Sequence, residues 1–141
     1  MKVATSTAVQ QQSKKINKRP QLALDVAFKT VSSGIQVYTE RPGHGKKSED
    51  GSNIKVHYEG WLAKDFTMFD SSRDKRRPFV FDLGKGSVID GWDIALKDVR
   101  EGTKMLIKIP SRLAYGSQGV PSMGIPPNAD LIFKIEVLKV T

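Results

Sequence analysis

The sequence predicts an α+β domain: a mainly antiparallel sheet that lays one face on a single short helix. Five runs alternate apolar and polar residues with the period of a strand, and only one stretch of the body repeats at helical spacing. Size sets the frame. At 141 residues, 38% hydrophobic and 27% charged, the chain is one domain with a little to spare and can bury a core.

Residues 22–31 (LALDVAFKTV) read either as a short helix, with Leu22, Val26 and Lys29 at helical spacing, or as an extended lead-in. Ten of the eleven aromatic residues lie at or after Tyr38, which places the start of the folded body between residues 30 and 35. GIQVYT (34–39) is strand-like, and RPGHG (41–45) is a turn. In NIKVHYEGWL (53–62), Ile54, Val56 and Tyr58 share one face and Lys55, His57 and Glu59 the other. PFVFDL (78–83) aligns Phe79, Phe81 and Leu83. In IDGWDIALKDV (89–99), Trp92, Ala95, Leu96 and Val99 fall at i, i+3, i+4 and i+7, the apolar stripe of a helix. Asp90 is the expected cap and Gly102 the stop. TKMLIKIP (103–110) sets Met105, Ile107 and Ile109 against Leu106 and Lys108. DLIFKIEVLKV (130–140) aligns Leu131, Phe133, Ile135 and Val137.

The net charge is +8, but residues 1–21 supply +5 of it through Lys2, Lys14, Lys15, Lys18 and Arg19, with no acid. The body is only mildly basic, which argues against a nucleic-acid-binding core. The 1–33 stretch reads as a basic extension, and its first 21 residues are too polar to offset their ordering entropy, so disorder is expected there. A solvated leader is the first reading of the cluster at 14–19. Contact with RNA, an acidic partner or an import receptor is the alternative. The segment lacks the apolar run of a secretory signal, which points to the cytoplasm; a nuclear protein or an exported form of a longer precursor is the alternative. No apolar run is long enough to suggest a membrane span, and no dimerisation helix is legible, so a monomer is expected.

Much chemistry is excluded. Without cysteine there is no disulfide framework, thiol nucleophile or cysteine-bound metal. There is no P-loop, dinucleotide fingerprint or HExxH, and the acids stand singly, so neither metal nor cofactor is expected. His44 falls in a turn and His57 on the polar face of a strand. Asp70, Ser71 and Ser72 read as an ordinary Asp/Ser turn. Tyr115 stands out, in the Gly/Ser context AYGSQG before VPSMGIPPN. A loop carrying Met123 and Ile125 beside an aromatic-rich sheet suggests a hydrophobic binding pocket.

Four blocks in order, VHYEGWL (56–62), MFDSSRDKRRPFVFDLGKGSVIDGWDIAL (68–96), EGTKMLIKIPSRLAYGSQG (101–119) and GIPPNADLIFKIEVLKV (124–140), carry a resemblance. Over residues 34–141 the chain resembles the FKBP-type peptidyl-prolyl cis–trans isomerases, the family that binds tacrolimus and rapamycin. The resemblance implies a five- or six-stranded antiparallel sheet wrapped around the helix at 90–97. It implies Trp92 as a pocket floor, with Tyr58, Phe69, Phe79, Val88, Ile89, Tyr115, Ile125 and Phe133 as walls. Met123 is the alternative to Ile125, because the loop is one residue longer than in the smallest members. Asp70 and the Tyr115 hydroxyl would be polar contacts, and the Ile89 N–H would hold a ligand carbonyl. Tyr58, Phe69, Asp70, Trp92, Tyr115 and Phe133 would carry catalysis.

The implied partners are proline-containing polypeptides, with tacrolimus- or rapamycin-like macrolides as inhibitors. Assistance to protein folding follows as the expected role. The alternatives are a non-catalytic binding module of the same fold, or a domain tethered to nucleic acid through its tail. Isomerisation would explain the missing acid–base machinery. Rotation about an X-Pro bond breaks amide resonance, with a barrier of roughly 18–20 kcal/mol, but makes and breaks no σ-bond.

Two departures from the family pattern stand out. Lys75 replaces the usual arginine, keeping the charge but losing the planar fork, so a looser pair with Asp70 is expected. The turn AKDFTM lacks the usual glycine, and its Phe66 is expected at the surface.

Overall fold

The structure, a computed structural model, describes residues 28–141. The expectations for residues 1–27 (the disordered tail, its contact with nucleic acid and the start of the 22–31 segment) lie outside the described residues. Among the described residues seven strands form one antiparallel sheet: β1 (Lys29–Thr30), β2 (Gln36–Arg41), β3 (Asn53–Leu62), β4 (Met68–Ser71), β5 (Phe79–Asp82), β6 (Lys104–Ile109) and β7 (Leu131–Val140). They lie in the order β1-β2-β6-β7-β3-β4, and β5 also pairs with β3. Among the described residues one α-helix, α1 (Asp90–Ala95), packs on the sheet.

The long strands form where the alternation is cleanest. On β3, Ile54, Val56, Tyr58 and Leu62 are buried while Lys55, His57 and Glu59 are not. β7 runs beside β3 for its whole length, from Ile54 opposite Val140 to Leu62 opposite Leu131. Two strands escaped the sequence reading. β1 is a two-residue edge, so the end of the 22–31 segment is extended rather than helical. β4 has four residues and a bulge, too few to show a period.

β4 and β5 share one edge of β3. Glu59–Trp61 pair with β4 and Asn53–Val56 with β5, so the intervening 72–78 loop turns back over a single strand edge. Phe66, in the turn before β4, is half-buried and adopts φ 61°, a left-handed conformation that glycine takes at less cost.

The helix is shorter than its pattern. Asp90 is its first residue and Ile89 its N-cap, with no side-chain capping bond. Asp90 and Asp93 instead place negative charge in the first turn, where the helix dipole favours it. The helix ends at Ala95, well before Gly102. There the buried Ser48 hydroxyl donates to the Leu96 carbonyl (2.6 Å) and accepts from the Val99 N–H (3.0 Å). Trp92, Ala95 and Leu96 then face the core with Ile107, Ile109 and Ile135. Gly91 is tolerated because it has no side chain: a Cβ there would stand 2.5 Å from Ile109 Cγ2.

Candidate functional site

Between α1 and one end of the sheet lies a cavity of about 140 Å³. Trp92 forms its floor, 4% exposed and surrounded by rings that meet it edge-on. Ring centroids lie 5.2 Å from Tyr58 at 81° and 5.3 Å from Phe133 at 84°. Phe79 stands 6.0 Å away at 77°, and Phe69 meets Phe133 at 5.7 Å and 87°. Such edge-to-face contacts place positive ring edges on negative ring faces and hold the box rigid. The Trp92 Nε1 is buried without a hydrogen-bond partner, as suits a floor from which water is excluded.

The sheet register explains why these side chains converge. Gly60 on β3 lies opposite Asp70 on β4 and Phe133 on β7. A Cβ at Gly60 would come within 2.7 Å of Phe69 Cζ and 3.0 Å of Phe133 Cε1, so the bare backbone gives these two rings their place. Adjacent strand residues ordinarily face opposite ways, yet Phe69 and Asp70 both line the cavity. The register shift between Gly60 and Trp61 leaves Phe69 as the extra residue of a bulge, which turns both toward the pocket.

Asp70 is held at several points. The Tyr58 hydroxyl donates to Oδ2 at 2.5 Å, and the Ser71 N–H donates to Oδ1 at 2.9 Å. Lys75 Nζ also reaches Oδ1, at 2.8 Å, so the ion pair forms with lysine as a single-point contact. Burial, then the hydrogen bond to Asp70, push the Tyr58 phenol far above its ordinary range. Burial, then the Asp70 charge, also raise Tyr115. Both phenols therefore stay protonated through neutral and mildly alkaline pH.

The opposite wall comes from two loops. Asp93 on α1 accepts from the Gly84 and Gly86 N–H groups (2.8 and 3.1 Å), fastening the loop that presents Ser87, Val88 and Ile89. Tyr115 follows the turn Ser111–Leu113, and bonds from the Asn128 N–H to Gly116 O and from the Gly119 N–H to Tyr115 O fix its loop. Among the described residues, the Tyr115 hydroxyl and the Ile89 N–H hydrogen-bond to no protein group.

Nine of the ten residues expected at the site thus line one cavity: Tyr58, Phe69, Asp70, Phe79, Val88, Ile89, Trp92, Tyr115 and Phe133. Ile125 lies outside this lining. Its backbone pairs with Val120 in a small bridge, and its side chain, 1% exposed, belongs to the core rather than to the cavity lining. Met123, the alternative, is half-buried against the core and does not line the cavity either. Ser87 was missed; nothing marks it in the sequence except its place beside Val88. A larger hollow of about 330 Å³ lies on the outer face of the sheet. Charged side chains, among them Arg73, Lys104, Lys134 and Glu136, wall it, and of the six aromatic residues that line the smaller cavity only Tyr58 borders it.

Fold and site together define a class: a protein that takes a small apolar ring into an aromatic box, with hydrogen-bond donors at its rim. The family model for FKBP-type peptidyl-prolyl cis-trans isomerase matches residues 44–138, and the chain belongs to that family. The chain is 45% identical over 107 residues to the FK506-binding protein of Neisseria meningitidis serogroup B, covering 76% of this chain and 96% of that one. It is 44% identical over 108 residues to peptidyl-prolyl cis-trans isomerase Fkbp12 of Drosophila melanogaster, covering 76% and 98%. Among solved structures, AtFKBP13 superposes with a TM-score of 0.75 at 33% identity, covering 82% of this chain and all of that one. FkpA from Escherichia coli gives 0.75 at 38% identity, over 86% of this chain and 55% of that one.

Proposed function

We propose that the cavity catalyses rotation about X-Pro bonds by binding the twisted amide better than the planar one. The prolyl ring sits on Trp92 between Tyr58, Phe79 and Phe133. The Tyr115 hydroxyl and the Ile89 N–H donate to carbonyls of the bound segment. A planar amide has the larger dipole and is favoured by water. Stripping that water away removes part of its advantage, which is differential binding of the transition state. Asp70, tied to Tyr58 and Lys75, fixes the ring that forms one side of the box. No acid, base or nucleophile takes part.

The observation that carries this reading is the pairing of a water-excluding floor, Trp92 at 4% exposure, with two rim donors that no acceptor among the described residues uses. A monomeric folding helper for proline-containing chains, open to macrolide inhibition, is the role it supports. The test is cis–trans exchange in short Leu-Pro and Phe-Pro peptides followed by NMR, with and without tacrolimus. Acceleration that tacrolimus abolishes is expected. Absence of both acceleration and tacrolimus binding overturns the assignment of the pocket.

A further inference from the structure

Charge is distributed unequally around the pocket mouth. The 72–78 loop runs from just after Asp70 to Phe79, both of which line the cavity. It carries Arg73, Lys75, Arg76 and Arg77 against one acid, Asp74. The facing wall, residues 115–129, contains no charged residue at all. The third rim, 84–90, carries Lys85 and Asp90, which offset one another.

Two of the four loop cations are spent within the fold. Arg73 reaches Glu136 at 2.6 Å and Lys75 reaches Asp70 at 2.8 Å. Arg76 and Arg77 are exposed and pair with no acid among the described residues. The loop is nonetheless well anchored. Ser72 exchanges bonds with Tyr58 (Tyr58 N–H to Ser72 Oγ 2.7 Å, Ser72 N–H to Tyr58 O 2.9 Å), and the Arg77 N–H donates to Ser72 O at 3.2 Å. Arg76 holds φ 57°, so the tight turn presents a long charged side chain where a small residue would cost less. Arg77 stands two residues before Phe79, within about 7 Å of backbone. Phe79 itself is 36% exposed and Val80 47%, an apolar step beside the two arginines.

We propose that Arg76 and Arg77 are specificity-determining residues that select X-Pro segments with an anionic side chain, carboxylate or phosphate, flanking the proline. This rests on the isomerase reading of the pocket. With the prolyl ring on Trp92, the rest of the segment leaves between a cationic rim and an uncharged one. An anion on the first side gains two partners.

The test uses the full chain and peptides sharing one Leu-Pro core, flanked by Glu, phosphoserine, Gln or Lys. Exchange rates are read by NMR and affinities by calorimetry, at low and high salt. Glu-flanked peptides should exceed Gln-flanked ones by roughly two- to tenfold at low salt, with Lys-flanked ones lowest. The spread should shrink as salt rises. Phosphoserine well above Glu would identify phosphorylated segments as the occupants; parity of the two would identify carboxylates.

Arg76→Gln/Arg77→Gln should bring the Glu, Gln and Lys peptides together, and Arg76→Glu/Arg77→Glu should reverse their order. Lys46→Gln/Lys47→Gln removes the same charge away from the pocket and should leave the order intact. Equal peptides in the unaltered protein, as expected if the basic rim served nucleic acid instead, would overturn the proposal. So would an order that survives charge reversal. If peptides bind without acceleration, the isomerase reading fails, and the order of the affinities still decides this one.

Discussion

The Tyr58 hydroxyl and the Asp70 carboxylate meet at 2.5 Å, joining the central strand of the pocket to a bulged edge strand. The contact has a neutral donor and a charged acceptor, is largely buried, and lies beside the Trp92 floor. Tyr58 is therefore a wall that also determines where a second wall stands.

Tyr58→Phe keeps the ring and removes this bond. Asp70 retains Lys75 and the Ser71 N–H. Chemical denaturation should show a loss of about 1.5–3 kcal/mol, the range for a hydrogen bond to a charged group. A stability equal to that of the unaltered protein would mean that the bond contributes nothing net.

Tyr115→Phe should behave in the opposite way. Its hydroxyl has no partner among the described residues, so stability should stay within about 0.5 kcal/mol. The exchange rate of Leu-Pro peptides should fall roughly two- to tenfold, the value of one hydrogen bond to substrate. Unchanged kcat/KM would remove Tyr115 from the set of donors.

Trp92→Leu leaves an apolar floor without its breadth. We expect kcat/KM to drop about tenfold or more, the equivalent of a barrier raised by roughly 1.4 kcal/mol. The stability loss should stay below the roughly 3–5 kcal/mol typical of a full truncation to alanine. NMR exchange and denaturation on the same sample separate the two effects.

Gly60→Ala drives a methyl into Phe69 and Phe133. Overpacking of this kind costs about 1–3 kcal/mol. Because the displaced rings line the cavity, activity should fall as well, and tacrolimus titration should show weaker binding.

Glu136 provides a pH signature. Its partial burial would raise it, but the Arg73 hydrogen bond, with Lys104 and Arg41 nearby, holds it below its ordinary value near 4.5. A carboxylate lowered by folding contributes stability above its ordinary range and loses that contribution as pH falls through its folded value. Glu136→Gln should therefore have a lower Tm at pH 7, and the gap should close in acid as pH falls through the carboxylate's lowered folded value. A constant gap would mean that the ion pairs with Arg73 and Arg41 contribute nothing.

Alternation of side chains made β3 and β7 legible, because residues 53–60 of the one and 133–138 of the other switch regularly between buried and less buried positions. β4 was not legible for the reason that makes it useful: a bulge breaks the period and so lets Phe69 and Asp70 face the same way. The helix showed its apolar stripe but not its ends. Its C-terminus is set by Ser48, more than forty residues upstream, and no local signal records that. The site was read through resemblance more than through pattern, and the exception is instructive. Ile125 sits among prolines and glycines that look like a flexible rim, but its bridge to Val120 closes the loop on itself and directs the side chain inward. Gly60 and Gly91 hid in plain view, since the need for a missing side chain appears only when the neighbouring ring or methyl is placed.

The position of β7 between β6 and β3 has a consequence for how the molecule comes into being. The seven strands are not assembled in the order in which they are made: the last in chain order occupies the middle of the sheet, and Val140 lies opposite Ile54. Until β7 is available, β3 and β6 have no common neighbour and Trp92 lacks Phe133 beside it. A nascent chain must therefore have exposed β7 before β3 and β6 can close on a common neighbour. An enzyme for the slow proline steps of other polypeptides thus cannot close its own pocket until Phe133 has been made.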